Sequence, residues 1–428
     1  MASKKTQMTL GTKAALVLTT ALLIYVMVLF FSLYRGSGED AETLLNELQE
    51  EGRLSTVEAE LPTPPAQESK SFVPVETVAS PEPTEDIPLE KRSFTLAAVG
   101  SVSAPRAIRE AARSRNSFDF STAFLGFGTS LKNADLALCT LETLTDGGQP
   151  YDGSNAPETL LDAVKTVGFT LVSLATEHLL DKGYTGLDVT LSSLTSRGIE
   201  SVGVRETKDE IPGTILRLSG VQTAVLGYTY GLDEVGAGIT GNDSRGYVPI
   251  LSEEDIRRDI MRARIEGAEA VILLLHWGVK NRPEPPESIR ALAVRLAEAG
   301  ADIILGAHSG VVQPCEILKV TRADGRVCES FVCYSLGSLL SDARSEESAA
   351  GAVLHLPVEY DSEMRLLHFG AYSVTPTYIA RQEEENKTVW RLVEADSESA
   401  LSALTAEQRE AAYRAAARIR SILPGGLE

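Results

Sequence analysis

From Ser93 onward the chain alternates short apolar runs with amphipathic stretches. FTLAAVG, LALCTLE and FTLVSLA read as buried strands. Between the last two, Pro157 to Val167 (PETLLDAVKTV) has apolar residues at helical spacing, Pro at the first turn and Gly168 after the last. Tyr184 to Arg197 repeats the device, closed by Gly198, and ESVGV and TAVLGYTY add two strands. The clearest unit runs from Glu253 to His308. A helix (EEDIRRDIMRARIEG) leads into AVILLLHWG, then a helix SIRALAVRLAEAG, then ADIILGAHSG. Strand, helix, strand at this spacing is a parallel βαβ unit. Both of its strands are continuous apolar runs, as expected where helices cover a sheet.

EILKVTRADGRVCESFVCYSLG contains a hairpin about Asp324 and Gly325. AVLHLPVEY and MRLLHFGAYSV look like a second antiparallel pair, joined by Asp361, Ser362 and Glu363. Thr405 and Gln408 form a capping box that opens a helix to about Ile422. No repeat of 20–50 residues is visible. The pattern predicts one α/β domain, with 93–342 as its body and 343–428 as a hairpin and helix completing it.

The first 92 residues have a different texture. Ala14 to Tyr34 is an uncharged stretch of about 21 residues, long enough to cross a hydrocarbon core of roughly 30 Å. Lys4, Lys5 and Lys13 precede it, and Arg35 is soon followed by Glu39, Asp40 and Glu42. That asymmetry keeps residues 1–13 in the cytoplasm and the rest outside. A cleaved signal peptide is the poorer fit, because the apolar stretch is long and lacks a small-x-small site after it. Residues 35–92, with LPTPPAQESK and SPEPTEDIP, read as an acidic, Pro-rich, disordered linker. The expected location is therefore the cell membrane, single-pass, with the C-terminal domain extracytoplasmic.

Composition narrows the function. The net charge is −20 and no stretch of the folded part concentrates Lys or Arg, so nucleic acid is excluded as a partner. The same acidity argues against a broad polyanion-binding face. Cys139, Cys315, Cys328 and Cys333 lack CxxC spacing, which excludes a zinc ribbon and leaves three disulfide connectivities open.

The chain has five histidines. His355 and His368 sit inside alternating strands and read as structural. His178, His276 and His308 each follow an apolar run directly, where open parallel sheets collect reactive groups. Glu142 also follows a strand, and Glu177 precedes His178. Imidazoles and carboxylates on one rim suit a divalent metal such as Mn²⁺, Zn²⁺ or Fe.

From about Phe94 to Asp342 the chain resembles the CapA family, named for capsule and poly-γ-glutamate synthesis and similar in fold to calcineurin-like metallophosphatases. The stretches that carry the resemblance include AAVGSVSAP, LCTLETL, LATEHLLDKGYTGL, AVLGYTY, LLLHWGVKNRPEP, AEAGADIILGAHSGVVQPCEIL and CYSLGSLLSD. It implies a metallophosphatase-like four-layer α/β/β/α sandwich. The departures concern the metal ligands. The family's Gly-Asp is Gly100-Ser101, its Asn-x-Glu is Thr140-Leu141-Glu142, and its Asn-Asn-His is Thr176-Glu177-His178. Its Glu after HWGV is Lys280, its His-Pro-His is His308-Ser309-Gly310, and the Asn of YSLGNF is Ser338. Glu142, Glu177, His276 and His308 remain as ligands for one divalent ion, with His178 as proton donor and Lys280, Ser101 and Ser338 as binding residues. The depleted set favours an accessory or binding role in capsule, poly-γ-glutamate or other envelope polymer synthesis, with the polymer or its synthesis complex as partner. The alternative is a metal-dependent hydrolase of phosphoester, lipid-phosphate or polymer bonds.

Overall fold

The structure, a computed structural model, describes residues 91–425 except 129, 146, 149–150, 152–154, 208, 241–247 and 385–386. The expected membrane span and nearly all of the linker lie outside the described residues. Among those described, no helix is long and apolar enough to cross a membrane.

Chain order gives β1 (Arg92–Val102), α1 (Arg106–Ala112), β2 (Arg113–Ser114), β3 (Ser117–Phe118), β4 (Leu136–Leu141), α2 (Thr159–Val167), β5 (Leu171–Ser173), α3 (Gly183–Ser196) and β6 (Glu200–Val202). Then follow β7 (Gly213–Leu218), β8 (Val221–Thr229), α4 (Glu234–Thr240), α5 (Glu253–Ile265), β9 (Ala270–His276), α6 (Glu287–Ala299) and β10 (Ile303–Ala307). The last part holds β11 (Cys315–Thr321), β12 (Val327–Cys333), β13 (Ser338–Leu340), β14 (Ala350–Asp361), β15 (Leu366–Phe369), β16 (Ser373–Glu384), β17 (Lys387–Glu394), α7 (Glu398–Leu401) and α8 (Ala406–Ile422).

Two sheets form from these strands. One has the order β17-β16-β14-β1-β4-β5-β6, with β13 beside β1 and β15 beside β14; the other runs β11-β12-β10-β9-β8-β7. β1, β4, β5 and β6 are mutually parallel, as are β8, β9, β10 and β12. The pleat of the second sheet explains its continuous apolar strands. Ala270, Ile272 and Leu274 of β9 join the core shared with the first sheet, while Val271, Leu273 and Leu275 pack with Ile256, Ile260 and Leu296 of α5 and α6. β10 divides in the same way, with Ile303 and Leu305 inward and Ile304 toward the helices. The first sheet carries helices on its other face, where Leu160 and Val164 of α2, Leu187 of α3 and Ala412 of α8 are buried in the same core as β1. Helix, sheet, sheet, helix is therefore the observed layering.

The βαβ unit stands as expected, with β9 and β10 parallel neighbours. So do the hairpin at Asp324 and Gly325 and the Thr405–Gln408 capping box. The late strands differ from expectation. MRLLHFGAYSV is not one strand: β15 ends at Phe369, and Ser373 starts the 12-residue β16. Gly370 turns the chain by donating its N–H to the Pro357 carbonyl. The main partners of β14 are β1 and β16, so the C-terminal region is integral to the first sheet.

Candidate functional site

The register of the second sheet brings its strand-end residues together. His276 is the last residue of β9, level with Thr229 of β8 and Ala307 of β10. Tyr230 and His308, each one residue further on, therefore flank it. The Tyr230 ring stacks on His276 at 6.2 Å between centroids and tilts against His308 at 4.7 Å. The first sheet contributes Glu177, four residues past β5. Lys280 arrives on the loop after β9, which is tied to the His308 loop by an Asn281 N–H to Ser309 carbonyl bond of 2.8 Å.

Glu177 is the centre of this group. Its Oε2 pairs with His276 Nε2 and lies 3.3 Å from His308 Nδ1, while its Oε1 lies 2.9 Å from Lys280 Nζ. His308 Nδ1 is 3.2 Å from His276 Nε2. Burial pushes the Glu177 carboxyl up, but the hydrogen bonds from His276, His308 and Lys280 outweigh it and hold the group far below the usual carboxylate range. Burial likewise pulls Lys280 down, and the bond to Glu177 more than reverses that, so its pKa is raised.

A second group adjoins the first. His178 Nδ1 lies 2.9 Å from Asp181 Oδ2 and 3.9 Å from Asp233 Oδ2, and its Nε2 lies 3.8 Å from Glu177 Oε1. The Asp181 bond raises the His178 pKa against the effect of burial, with Asp181, Glu177 and Glu142 adding their charges. The His178 side chain is partly exposed at the rim, where an imidazole in its acid form can donate a proton.

Glu142 lies just past β4 and is partly buried. Its charge helps raise His178, Lys280 and Tyr230, but it is not within either close donor group among the described residues. The positions lacking the family's ligands also gather. Ser101 is buried and level with Ser338 across β1 and β13. A side chain placed at Gly310 would start 3.9 Å from Ser338 Oγ. Sequence reasoning missed Tyr230, Asp181 and Asp233. Tyr230 closes the TAVLGYTY run and was legible as a strand end; nothing local marked the two aspartates.

The donor set can be tested against a metal. In a tetrahedral site with bonds near 2.0–2.1 Å, donor atoms stand about 3.3–3.4 Å apart, close to the two separations at His308 Nδ1. The Glu177–His276 pair is closer than that spacing, but the three donors of Glu177, His276 and His308 lie close enough together to share one divalent ion, which would supply Lewis-acid charge and an activated water. They do not fit two, since Ser101 and Gly310 offer no carboxylate or imidazole. Two details weaken even the single site. Lys280 already neutralises Glu177, and His276 Nδ1 is buried with no hydrogen-bond partner, whereas a ligating imidazole nearly always donates its other N–H. His308 has φ +93, a left-handed conformation that costs a non-glycine residue on the order of 1 kcal/mol or more. Local strain of this kind is commonest where a side chain is held for use.

Comparison with known proteins places the chain in a family. The family model for bacterial capsule synthesis protein PGA_cap matches residues 95–343. Capsule biosynthesis protein CapA of Bacillus anthracis is 25% identical over 329 residues, covering 73% of this chain and 76% of the relative. PGA biosynthesis protein CapA of Bacillus subtilis is 26% identical over 245 residues, covering 55% and 59%. Among solved structures, NAD nucleotidase of Haemophilus influenzae is 14% identical with a TM-score of 0.43, covering 78% of this chain and 57% of that one. The calcineurin-like phosphoesterase YfkN of Bacillus subtilis is 13% identical with a TM-score of 0.39, covering 78% and 98%.

Proposed function

Because the chain belongs to the bacterial capsule synthesis protein PGA_cap family, we propose that it serves the synthesis of a capsule, poly-γ-glutamate or other envelope polymer as an accessory, binding component. Residues 14–34 anchor it in the membrane and the layered domain works outside the cell. The observation that carries the accessory reading is the Lys280–Glu177 ion pair of 2.9 Å. A cation sits on the central carboxylate of a rim where Ser101, Gly310 and Ser338 replace ligands. The rim then carries its own cation, supplied by the chain, on Glu177. His178 and Lys280 face solvent and are the groups that meet a ligand.

One observation favours the second reading, a metal-dependent hydrolase. Glu177, His276 and His308 keep three donors close enough to share one ion, with His178 beside them as acid. Metal analysis of the purified protein, followed by titration with Mn²⁺ and Zn²⁺, separates the two. Weak or no binding, with no cleavage of phosphoester or polymer substrates at saturating metal, supports the accessory role. Tight binding together with His178-dependent hydrolysis would reverse the order of the two readings.

A further inference from the structure

The connections from α5 to β9 and from α6 to β10 lie at the amino ends of those strands, opposite the rim that carries His276 and His308. The seven residues of β9 separate the two ends by about 20 Å. A cavity of about 940 Å³ opens at this far end, and Arg257, Arg264, Arg322, Arg326 and Arg365 line it. In a chain of net charge −20 that is an unusual concentration of guanidinium groups.

The arrangement is built rather than incidental. Asp302, 4% exposed, receives Arg264 at 2.6 Å on one oxygen and Arg322 at 2.7 Å on the other. The first oxygen also accepts the Val271 N–H. One buried carboxylate thus holds two guanidinium groups side by side. Arg322 is itself 9% exposed, and its Nε is buried without a hydrogen-bond partner. Arg365, on the turn between β14 and β15, has no hydrogen bond or ion pair from its guanidinium among the described residues. Of the acids on the cavity wall, Glu269 is engaged by Arg92 and Asp324 by Arg326. Glu298 remains, and Arg257 shares Glu253 with Arg295. Positive charge is left in excess.

We propose that this cavity is a second ligand site, separate from the histidine cluster, that takes neighbouring carboxylate groups on an acidic chain. Guanidinium forks match carboxylates in two-point contacts. The volume falls in the range of sites for organic ligands rather than for a single ion. The surrounding negative surface repels such a chain elsewhere, which confines binding to this cavity. The inference needs neither a metal nor any chemistry at the histidine cluster; only an envelope polymer as the natural source rests on the capsule reading.

The test is calorimetric titration of the full-length chain with a glutamate oligomer of about ten residues, at low and moderate salt. A glutamine oligomer and inorganic phosphate serve as comparison probes. The glutamate oligomer should bind, more weakly as salt rises, and the glutamine oligomer should not. Arg365→Glu should weaken binding roughly tenfold or more, Arg365→Lys should retain most of it, and Arg322→Lys should weaken it several-fold. His276→Ala should leave it within about twofold. Arg365 lies on a surface turn, so its variants report even if Arg322→Lys is poorly folded. Binding unchanged in Arg365→Glu would overturn the proposal. So would loss of binding in His276→Ala, or phosphate displacing the oligomer at equal concentration. A strain lacking the protein but making normal capsule would refute the capsule reading and leave this result standing.

Discussion

Replacing Lys280 with Met keeps most of the aliphatic stem and removes the charge opposite Glu177. The ammonium lies 2.9 Å from Glu177 Oε1, with the Lys280 side chain 61% exposed and that of Glu177 6% exposed. Exposed pairs contribute about 0.2–1 kcal/mol, and hydrogen bonds to buried charged groups about 1.5–3 kcal/mol. This mixed pair falls between them, at about 1–2 kcal/mol. Glu177 keeps His276 and His308, so Lys280→Met should fold and lose no more than that in stability. The gain is at the metal site. An incoming divalent ion no longer meets a competing cation, and the same 1–2 kcal/mol corresponds to about a five- to thirtyfold higher affinity for Mn²⁺ or Zn²⁺. Titration calorimetry measures this directly. Thermal unfolding at a fixed metal concentration checks it, because an ion bound only by the folded state stabilises by RT ln(1 + L/Kd), where L is the free ion concentration, and this grows as Kd falls. The double variant Ser101→Asp with Gly310→His extends the test by restoring a carboxylate and an imidazole. Gly310 has φ +69, so the histidine costs roughly 1 kcal/mol or more of backbone strain. Affinity unchanged in Lys280→Met, with the protein folded, would refute the idea that Lys280 stands in for an ion. Tight binding of two ions by the wild type would refute the account of a depleted site altogether.

Burial raises the Asp302 carboxyl, but Arg264 and Arg322 outweigh it and depress its pKa. Its stabilising contribution is therefore present above the unfolded carboxylate value near pH 4 and is lost as pH falls through the lower folded value. Asp302→Asn should cost about 3 kcal/mol at pH 7 and flatten the acid side of a stability–pH curve; an unchanged curve would contradict the pairing. Cys315 and Cys333 are direct partners across β11 and β12, where Cα atoms stand about 4.5–5.5 Å apart, within disulfide range. With oxidised glutathione as electron acceptor, any intramolecular disulfide should join these two, as peptide mass spectrometry would show, and a bond to the buried Cys139 would contradict the register. Protease added to wall-stripped cells should release the large domain by cutting between residues 36 and 92, and protection until lysis would refute the orientation.

The sequence by itself determined the elements whose apolar pattern is decided by near neighbours. AVILLLHWG and ADIILGAHSG had to be strands covered on both faces, and the helix between them forced a parallel pair, so His276 and His308 were legible as rim residues. The capping box at Thr405 and Gln408 was equally local. The lost ligands at Ser101 and Gly310 were legible only through likeness to a family. Tertiary structure alone decided which side chains meet across the two sheets. Glu177 reaches His276 from the opposite sheet, a pairing of residues 99 apart in sequence that no local pattern encodes. Lys280 could be named from the sequence as a departure, but its placement on Glu177 depends on how two loops pack. The arginine cavity makes the same point more strongly. One helix and two turns, far apart in the chain, bring five guanidinium groups to one cavity, and two of them share one buried aspartate. Hydrophobic periodicity is a one-dimensional signal that burial must satisfy strand by strand. Charge pairing depends on distances that exist only after the chain has closed on itself.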